Sequence, residues 1–249
     1  MLTEKRQEEI LKLLDAQGSV TVQDLKERFQ SSESTIRRDL NMLHQKGALI
    51  KVFGGAVQAE LNIDTKEEGV PLRQEQNREE KVRIARYAAS LIEPGDFIYL
   101  DAGTTTGAMI PFIEEKSAVY VTNAVSHALM LVGRGFKTAI LGGEVKAATE
   151  AVVGNEAYLS IQKYNFTKGF WGANGVSRMS GFTTPDANEA LIKECAMKHT
   201  KNPYVLCDAS KFHQTSPVSF GSFYSARIIT DRLPQDAYRG EENLIIATD

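Results

Sequence analysis

The stretch Ser32-Glu33-Ser34-Thr35-Ile36-Arg37-Arg38-Asp39-Leu40 decides how the first part of the chain is read. Ile36 and Leu40, continued by Leu43, stand at i, i+4 and i+7, the spacing of one buried helical stripe. The opposite face carries Ser34, Thr35, Arg37, Arg38, Asn41 and Gln45. These are hydroxyls, guanidinium groups and amides, the side chains that reach phosphates and base edges. Negative charge comes only from Glu33, at the helix start, and from Asp39, which is placed to tie down a neighbouring arginine. Ser32 or Glu33 opens this helix and Gly47 ends it.

Upstream, Thr3 is positioned to cap a helix whose apolar residues are Ile10, Leu11, Leu13 and Leu14, and Gly18 stops it. Thr21 caps a second helix containing Val22, Leu25 and Phe29, and Ser31-Ser32 breaks it. Downstream, the apolar run Ala48 to Phe53, then Gly54-Gly55, then Ala56-Val57 reads as a hairpin. Three helices and a hairpin within residues 1–57 describe a winged helix-turn-helix, with the third helix entering the major groove. A small helical dimerisation module is the other reading of this pattern, and the polar face of the third helix favours DNA. Between Ser34 and Val52, Arg37, Arg38, Lys46 and Lys51 stand against Asp39 alone. That stripe is compatible with phosphate contact, although a solvated helix face carries the same charges.

Composition limits the rest. The chain has 249 residues, 42% hydrophobic and 24% charged, which suits two folded domains and excludes a largely disordered chain. Cys195 and Cys207 are too few for a disulfide framework or a cysteine zinc finger, and read as small buried residues. No apolar run is long enough to span a bilayer, and the charged stretch from Glu4 to Glu9 is not a secretory signal, so a cytoplasmic protein is expected. The net charge of −3 argues against a non-specific polyanion binder while leaving room for a small DNA-reading module.

Residues 58–76, polar and acidic with Gly69 and Pro71, read as a linker. Asn77 then opens a helix with Glu79 and Glu80 in its first turn. An alternation follows, with strands expected at Phe97–Asp101, Ala118–Thr122, Thr138–Gly142, Gly169–Ala173, Tyr204–Cys207, Ile228–Thr230 and Leu244–Ala247. Helices are expected at Gly107–Glu115, Ala124–Val132, Glu156–Tyr164 and Asn188–His199. Such alternation implies a mainly parallel α/β sheet over residues 77–249, with ligands at the carboxyl ends of the strands.

Five of those ends are polar or rich in glycine. Asp101-Ala102-Gly103-Thr104-Thr105-Thr106 offers close backbone approach and hydroxyls to an anion, though a plain polar turn has the same composition. Thr122-Asn123, Gly142-Gly143-Glu144-Val145-Lys146, Gly172-Ala173-Asn174-Gly175 and Asp208-Ala209-Ser210-Lys211 complete the set. Together they point to a sugar-phosphate pocket more strongly than any one does. There is no P-loop and no dinucleotide fingerprint. The four histidines, His44, His127, His199 and His213, lack metal-ligand spacing, Trp171 reads as core, and no catalytic triad is suggested.

Arg6, Ile10 and Leu14, the string Ser32 to Leu40, and Leu49 to Ala56 with its Phe-Gly-Gly-Ala resemble the helix-turn-helix and wing of the DeoR family of bacterial sugar-operon regulators. Roughly residues 77–232 resemble that family's sensor domain, which is similar in fold to ribose-5-phosphate isomerase and glucosamine-6-phosphate deaminase. The resemblance implies a repressor that binds operator DNA as a dimer or tetramer and is released by a phosphorylated sugar, with no cofactor, no metal and no membrane partner. It places Ser34, Thr35, Arg37, Arg38, Asn41, Lys51, Gly54 and Gly55 at the DNA. It places Asp101, Gly103, Thr104, Thr105, Thr106, Asn123, Lys146, Asp186, Lys193 and Lys211 around the effector. Where the isomerase-like enzymes carry acid/base carboxylates, this chain has Asn174, Gly175 and Lys193, so no catalytic residue is expected. Asp186 and Glu189 lie close by and keep a sugar-phosphate isomerase or deaminase as the alternative. The string Ser32 to Leu40 is most similar to the fructose-operon repressors of Gram-positive bacteria, which puts fructose 1-phosphate first among effectors and tagatose 6-phosphate second.

Overall fold

The computed structural model describes residues 3–45, 48–58, 63–65, 68–212, 214–234 and 238–248. Contacts divide the chain into one unit of Met1–Asn62 with Gln235–Arg239, and a second of Ile63–Pro234 with Gly240–Asp249.

The first unit contains α1 (Thr3–Gln17), β1 (Ser19–Thr21), α2 (Val22–Phe29), α3 (Glu33–Gln45), β2 (Leu49–Val52) and β3 (Gly55–Gln58). Gly18 ends α1 at φ +73°, and its N–H donates to the Leu14 carbonyl at 2.8 Å. Thr21 caps α2, its hydroxyl accepting the Asp24 N–H at 3.1 Å. Ser32 plays that part for α3 by accepting the Thr35 N–H at 3.3 Å, so Glu33 is the first helical residue. Lys46 and Gly47, the expected end of α3, lie outside the described residues. The apolar stripe of α3 packs Ile36, Leu40 and Leu43 against Ile10, Leu14, Leu25 and Leu49. Asp39 is buried with them and holds Arg6 Nε at 2.5 Å and Gln7 at 3.3 Å.

The hairpin β2–β3 forms with Val52 opposite Gly55. Strand β1 was not expected. It pairs with the other edge of β3, giving the order β1-β3-β2. Three residues are too few for an alternating pattern to show in sequence. This pairing explains Gly55, where a Cβ would stand 2.1 Å from the Val20 carbonyl oxygen.

In the second unit come α4 (Val70–Glu75), α5 (Arg78–Ser90), β4 (Phe97–Leu100), α6 (Thr104–Gly107), β5 (Val119–Thr122), α7 (Val125–Gly133) and β6 (Lys137–Ile140). A hairpin of β7 (Glu144–Lys146) and β8 (Ala151–Val153) precedes α8 (Asn155–Ile161) and β9 (Phe166–Gly172). Then follow β10 (Gly175–Ser177), β11 (Gly181–Thr184), α9 (Ala187–Lys198), β12 (Thr200–Leu206), β13 (Val218–Gly221), β14 (Arg227–Thr230) and β15 (Leu244–Ile246). The seven expected strands form one parallel sheet, in the order β15-β14-β12-β9-β4-β5-β6. Ile98, Leu100, Tyr120, Phe170 and Ile229 of this sheet join Ile84, Ala85 and Ala88 of α5 in its core. Strands β10, β11 and β13 make a separate antiparallel sheet that the alternation did not reveal.

Two expectations are corrected. The helix expected at Gly107–Glu115 is instead the single turn α6, followed by a 3₁₀ turn at Ile110–Phe112. Pro111 lacks an N–H and its ring crowds the preceding turn, so a helix cannot run through it. The stretch 58–76 is not linker throughout, because α4 occupies Val70–Glu75. Gly69 and Pro71, read as breakers, are the N-cap and a first-turn residue of that helix, where proline is tolerated. No helix among the described residues is long and apolar enough to cross a membrane.

Gly55→Ala is expected to destabilise the first unit by about 1–3 kcal/mol, because the methyl meets strand backbone and not a movable side chain. Thermal unfolding followed by circular dichroism checks it; an unchanged first transition would contradict the β1–β3 packing.

Candidate functional site

The exposed face of α3 is built as the sequence implied. Ile36, Asp39, Leu40 and Leu43 turn inward, so Ser34, Arg37, Arg38 and Asn41 turn out, with Thr35 half-buried. Ser32 Oγ lies 2.9 Å from both Ser34 Oγ and Thr35 Oγ1, which orders the start of the helix. Arg37 pairs with Glu33 at 2.7 Å in the open. Lys51 of β2 donates to Asn41 Oδ1 at 2.7 Å, bringing the wing onto the same face. Gly54 forms the wing tip at φ +83° and is exposed. Gly55 is buried, and its lack of a side chain serves the packing against β1. In the sequence, Phe53 reads as one more residue of the hairpin's apolar run. It stands fully exposed at 108% beside Gly54, and only the position of the turn reveals it.

In the second unit, the carboxyl ends of β4, β5, β9 and β12 converge. Asp101 follows β4 and is fully buried. One of its oxygens, Oδ2, accepts the Lys193 ammonium from α9 and the Gly172 N–H at 3.2 Å. Lys193 also donates to the Gly172 carbonyl at 3.3 Å. Gly103 passes the end of β9 closely: a Cβ on it would lie 3.1 Å from Thr106 Oγ1 and 3.7 Å from Gly172 Cα. Thr106 points inward and donates to the Asp101 and Gly103 carbonyls, at 2.7 and 2.8 Å. Asn123 likewise braces the loop, its Oδ1 accepting the Ala102 N–H at 2.8 Å. Thr106 and Asn123 therefore shape the loop from behind, while Gly103, Thr104 and Thr105 line the cleft.

That cleft is also lined by Arg73 of α4, Lys81 of α5, Asn174, Glu189, Lys193 and Lys211. It continues on one side into a cavity of about 360 Å³ that reaches Ser126, His127 and Thr149. On the other side it opens toward Asn77 and Ser210. Four of the lining residues are cations, and Glu189 is the one carboxylate in the lining. Lys146 and Asp186 lie outside it and pair with each other at 2.9 Å; Lys146 also reaches Glu189 at 3.3 Å. Another cleft of about 380 Å³ runs along α5 past Arg78, Arg83 and Arg86 and reaches Thr248 beyond β15, away from the ends of β4, β5, β9 and β12.

Burial sets the electrostatics. It holds the Lys81 ammonium down to about 8; Lys211 and Arg73 push the same way, while Asp208 and Glu68 oppose it. It raises the Asp101 carboxyl, and the Lys193 ammonium opposes that rise. It lowers His127 to about 4, so this imidazole is neutral, and its Nδ1 has no partner among the described residues. Burial also works against the Asp186 carboxylate, but bonds from Lys146 and from N–H groups at the start of α9 outweigh it and keep it below its ordinary value. With α6 only one turn long, the charge that attracts an anion comes from side chains and not from an aligned helix.

The remaining candidates fall away. His44 and His199 bond backbone carbonyls at 3.1 Å, and His213 lies outside the described residues. No metal-holding cluster exists among the described residues. Trp171 is fully buried against Tyr99, and both cysteines are buried and unbridged.

Residues 76–232 match the DeoR C terminal sensor domain, and residues 6–61 match the DeoR-like helix-turn-helix domain. The chain belongs to the DeoR family. Among its DeoR-type relatives is the uncharacterized HTH-type transcriptional regulator FruR of Bacillus subtilis strain 168, 43% identical over 92% of this chain and 91% of that one. The lactose phosphotransferase system repressor of Streptococcus mutans is 32% identical, over 92% and 91% of the two chains. Solved structures similar to the chain include ribose 5-phosphate isomerase A from Methanocaldococcus jannaschii, with TM-score 0.42 and 17% identity over 55% of each chain. The full-length sorbitol operon regulator SorC from Klebsiella pneumoniae has TM-score 0.37 and 12% identity, over 80% of this chain and 87% of that one.

This DeoR-family chain is a DNA-binding transcriptional repressor of sugar metabolism and not an enzyme. The carboxylates around the cleft are bonded as follows: Asp101 Oδ2 with Lys193, Glu189 with Thr149 at 2.6 Å and with Lys146, and Asp186 as the cap of α9, while Asp101 Oδ1 is buried with no partner among the described residues. Arg73 and Lys81 were missed because one sat in the supposed linker and the other on a helix read only for its apolar face.

Removing one half of the Asp101–Lys193 pair strands a buried charge. Lys193→Met is therefore expected to cost about 3–5 kcal/mol, and adding Asp101→Leu to recover most of that loss. Urea unfolding of the single and double variants distinguishes this from simple additivity.

Proposed function

We propose that this repressor controls a sugar-utilisation operon and that a phosphorylated sugar binds at the carboxyl ends of β4, β5, β9 and β12 and relieves repression. Fructose 1-phosphate is the leading effector and tagatose 6-phosphate the second. The observation that carries the reading is the lining of the cleft, in which Arg73, Lys81 and Lys211 stand against Glu189 beside the glycine-threonine loop, the Lys193 charge being matched by Asp101. A net positive, partly enclosed site with hydroxyls and backbone N–H groups suits a phosphate monoester. The similarity to FruR supports a fructose-derived effector.

On the DNA side, Ser34, Thr35, Arg37, Arg38 and Asn41 contact base edges and phosphates in the major groove. Lys51 and the Gly54 turn bring the wing to the backbone, with Phe53 at its tip. A pair of such readers, in a cytoplasmic dimer or tetramer, fits two operator half-sites. Effector binding shifts operator affinity by about 5–150-fold, a coupling of about 1–3 kcal/mol.

Fluorescence anisotropy on DNA upstream of the chain's own operon, with and without a phosphosugar panel at fixed salt, tests the whole reading. Tight binding relieved by one phosphosugar is expected. Specific binding that no phosphosugar relieves would overturn the effector assignment, and no specific binding would overturn the operator assignment.

Arg37→Ala is expected to abolish operator binding with thermal stability unchanged, since its pair with Glu33 is solvent-exposed and contributes little to folding. Native affinity in this variant would remove α3 from the interface. Phosphosugar affinity is expected to fall as pH rises from 7 to 9. Lys81 is charged below about 8 and attracts the phosphate; above it the ammonium is lost, while the phosphate, with its second pKa near 6, stays dianionic. Calorimetric titration at several pH values checks both the loss of affinity and the proton uptake on binding near pH 8.

A further inference from the structure

The helix in the connecting segment reaches the effector cleft. α4 is the first helix of the second unit, in the part of the chain that leads from the DNA-reading unit. Its Arg73 lines the central cleft and both extensions of it. The Arg73 Nε is buried and has no hydrogen-bond partner among the described residues. A buried donor left unmade is costly, so such a group marks where a partner belongs. The Arg73 carbonyl, in turn, accepts the ammonium of Lys81, which is itself 7% exposed. Lys211 comes to the same place from the end of β12, following Asp208.

Three cations thus gather beside Asp208 and Glu68, whose charges attract Lys81, with Asp64 at the outer opening of the cleft. Asp208 Oδ1 accepts Asn77 and the Ser210 N–H, both at 3.0 Å, and Glu68 accepts Gln76 at 2.8 Å. Mutual repulsion of Arg73, Lys81 and Lys211 is relieved by an anion among them, and the orphaned Arg73 N–H gains its acceptor at the same time.

We propose that the phosphate of the effector is anchored between Arg73 of α4, Lys81 of α5 and Lys211, so that the bound phosphosugar holds the helix leading from the DNA-reading unit. This rests on the phosphosugar reading above and adds the regulatory element. Without the phosphate, α4 is held by the Lys81–Arg73 carbonyl bond against the repulsion of their charges. With the phosphate, α4 gains a charge-assisted bond to the strand-end loops. The effector thereby biases the chain segment itself, and no separate relay through the sheet is needed.

The test uses the full chain and its Arg73→Gln and Arg73→Lys variants. Fructose 1-phosphate, fructose and inorganic phosphate are titrated by calorimetry, and hydrogen exchange is followed in residues 68–77 and 100–108. In the parent chain fructose 1-phosphate is expected to protect both segments, fructose neither, and inorganic phosphate both but only at higher concentration. Arg73→Gln is expected to weaken fructose 1-phosphate binding at least tenfold and to lose the protection of residues 68–77, with Arg73→Lys intermediate. Unliganded Arg73→Gln is expected to melt no lower than the parent, because it loses one of three neighbouring cations. Parent-like affinity in Arg73→Gln, or protection of residues 100–108 alone, would place α4 outside the site while leaving a phosphosugar sensor intact. Equal affinity for inorganic phosphate and the sugar would reduce the cluster to a simple anion site and overturn the effector anchor. No binding of any phosphosugar by the parent chain would remove the functional reading and this inference together.

Discussion

The buried pair of Asp101 and Lys193 is the constraint around which the sensor is arranged. It joins the end of β4 to α9, and through the Gly172 N–H and carbonyl it fastens both to the end of β9. A carboxylate this deep has to be matched, because an uncompensated charge in the interior costs several kcal/mol. Once matched, it leaves the loop from Ala102 to Thr106 a single course over the sheet, with Thr106 and Asn123 bonding it from below. The cleft is the space left above that loop.

The same constraint separates this site from a catalytic one. A proton-transferring carboxylate needs an accessible oxygen and a pKa suited to exchange. Here Asp101 is fully buried and offers no accessible oxygen, and Glu189 and Asp186 are bonded to Lys146. Arg73, Lys81 and Lys211 line the cleft with no such commitment to Asp101, and the proposed anion site rests on them. A ligand that is held and released unchanged is what a reporter of sugar supply needs, and its binding free energy is then available to shift the state of the DNA reader.

Much of this was legible in sequence, for identifiable reasons. The α3 stripe of Ile36, Leu40 and Leu43 fixed which side chains face out. The inner strands, buried on both faces, read as continuous apolar runs, and the edge strands β6 and β15 are read from short apolar stretches in the same alternation. The strand-end glycines and threonines marked the pocket. What failed to show was of another kind. Strand β1 has three residues and owes its existence to pairing with β3. Helix α4 begins with Gly69 and Pro71, residues that break a helix interior but suit its first turn. Lys146 and Asp186 lie near the pocket in sequence order, yet they spend their charges on each other.

The sequence by itself determined the two-domain plan, the polar face of α3 and the succession of strands and helices along the second domain, because each depends on local periodicity or on residues adjacent in the chain. Only the tertiary structure decided which charges are available to a ligand. Asp101 and Lys193 are far apart in sequence and meet in the interior, whereas Arg73, Lys81 and Lys211 come from three elements to one cleft. Pairing and burial depend on distance in space, and distance in space is set by the packing of the whole sheet.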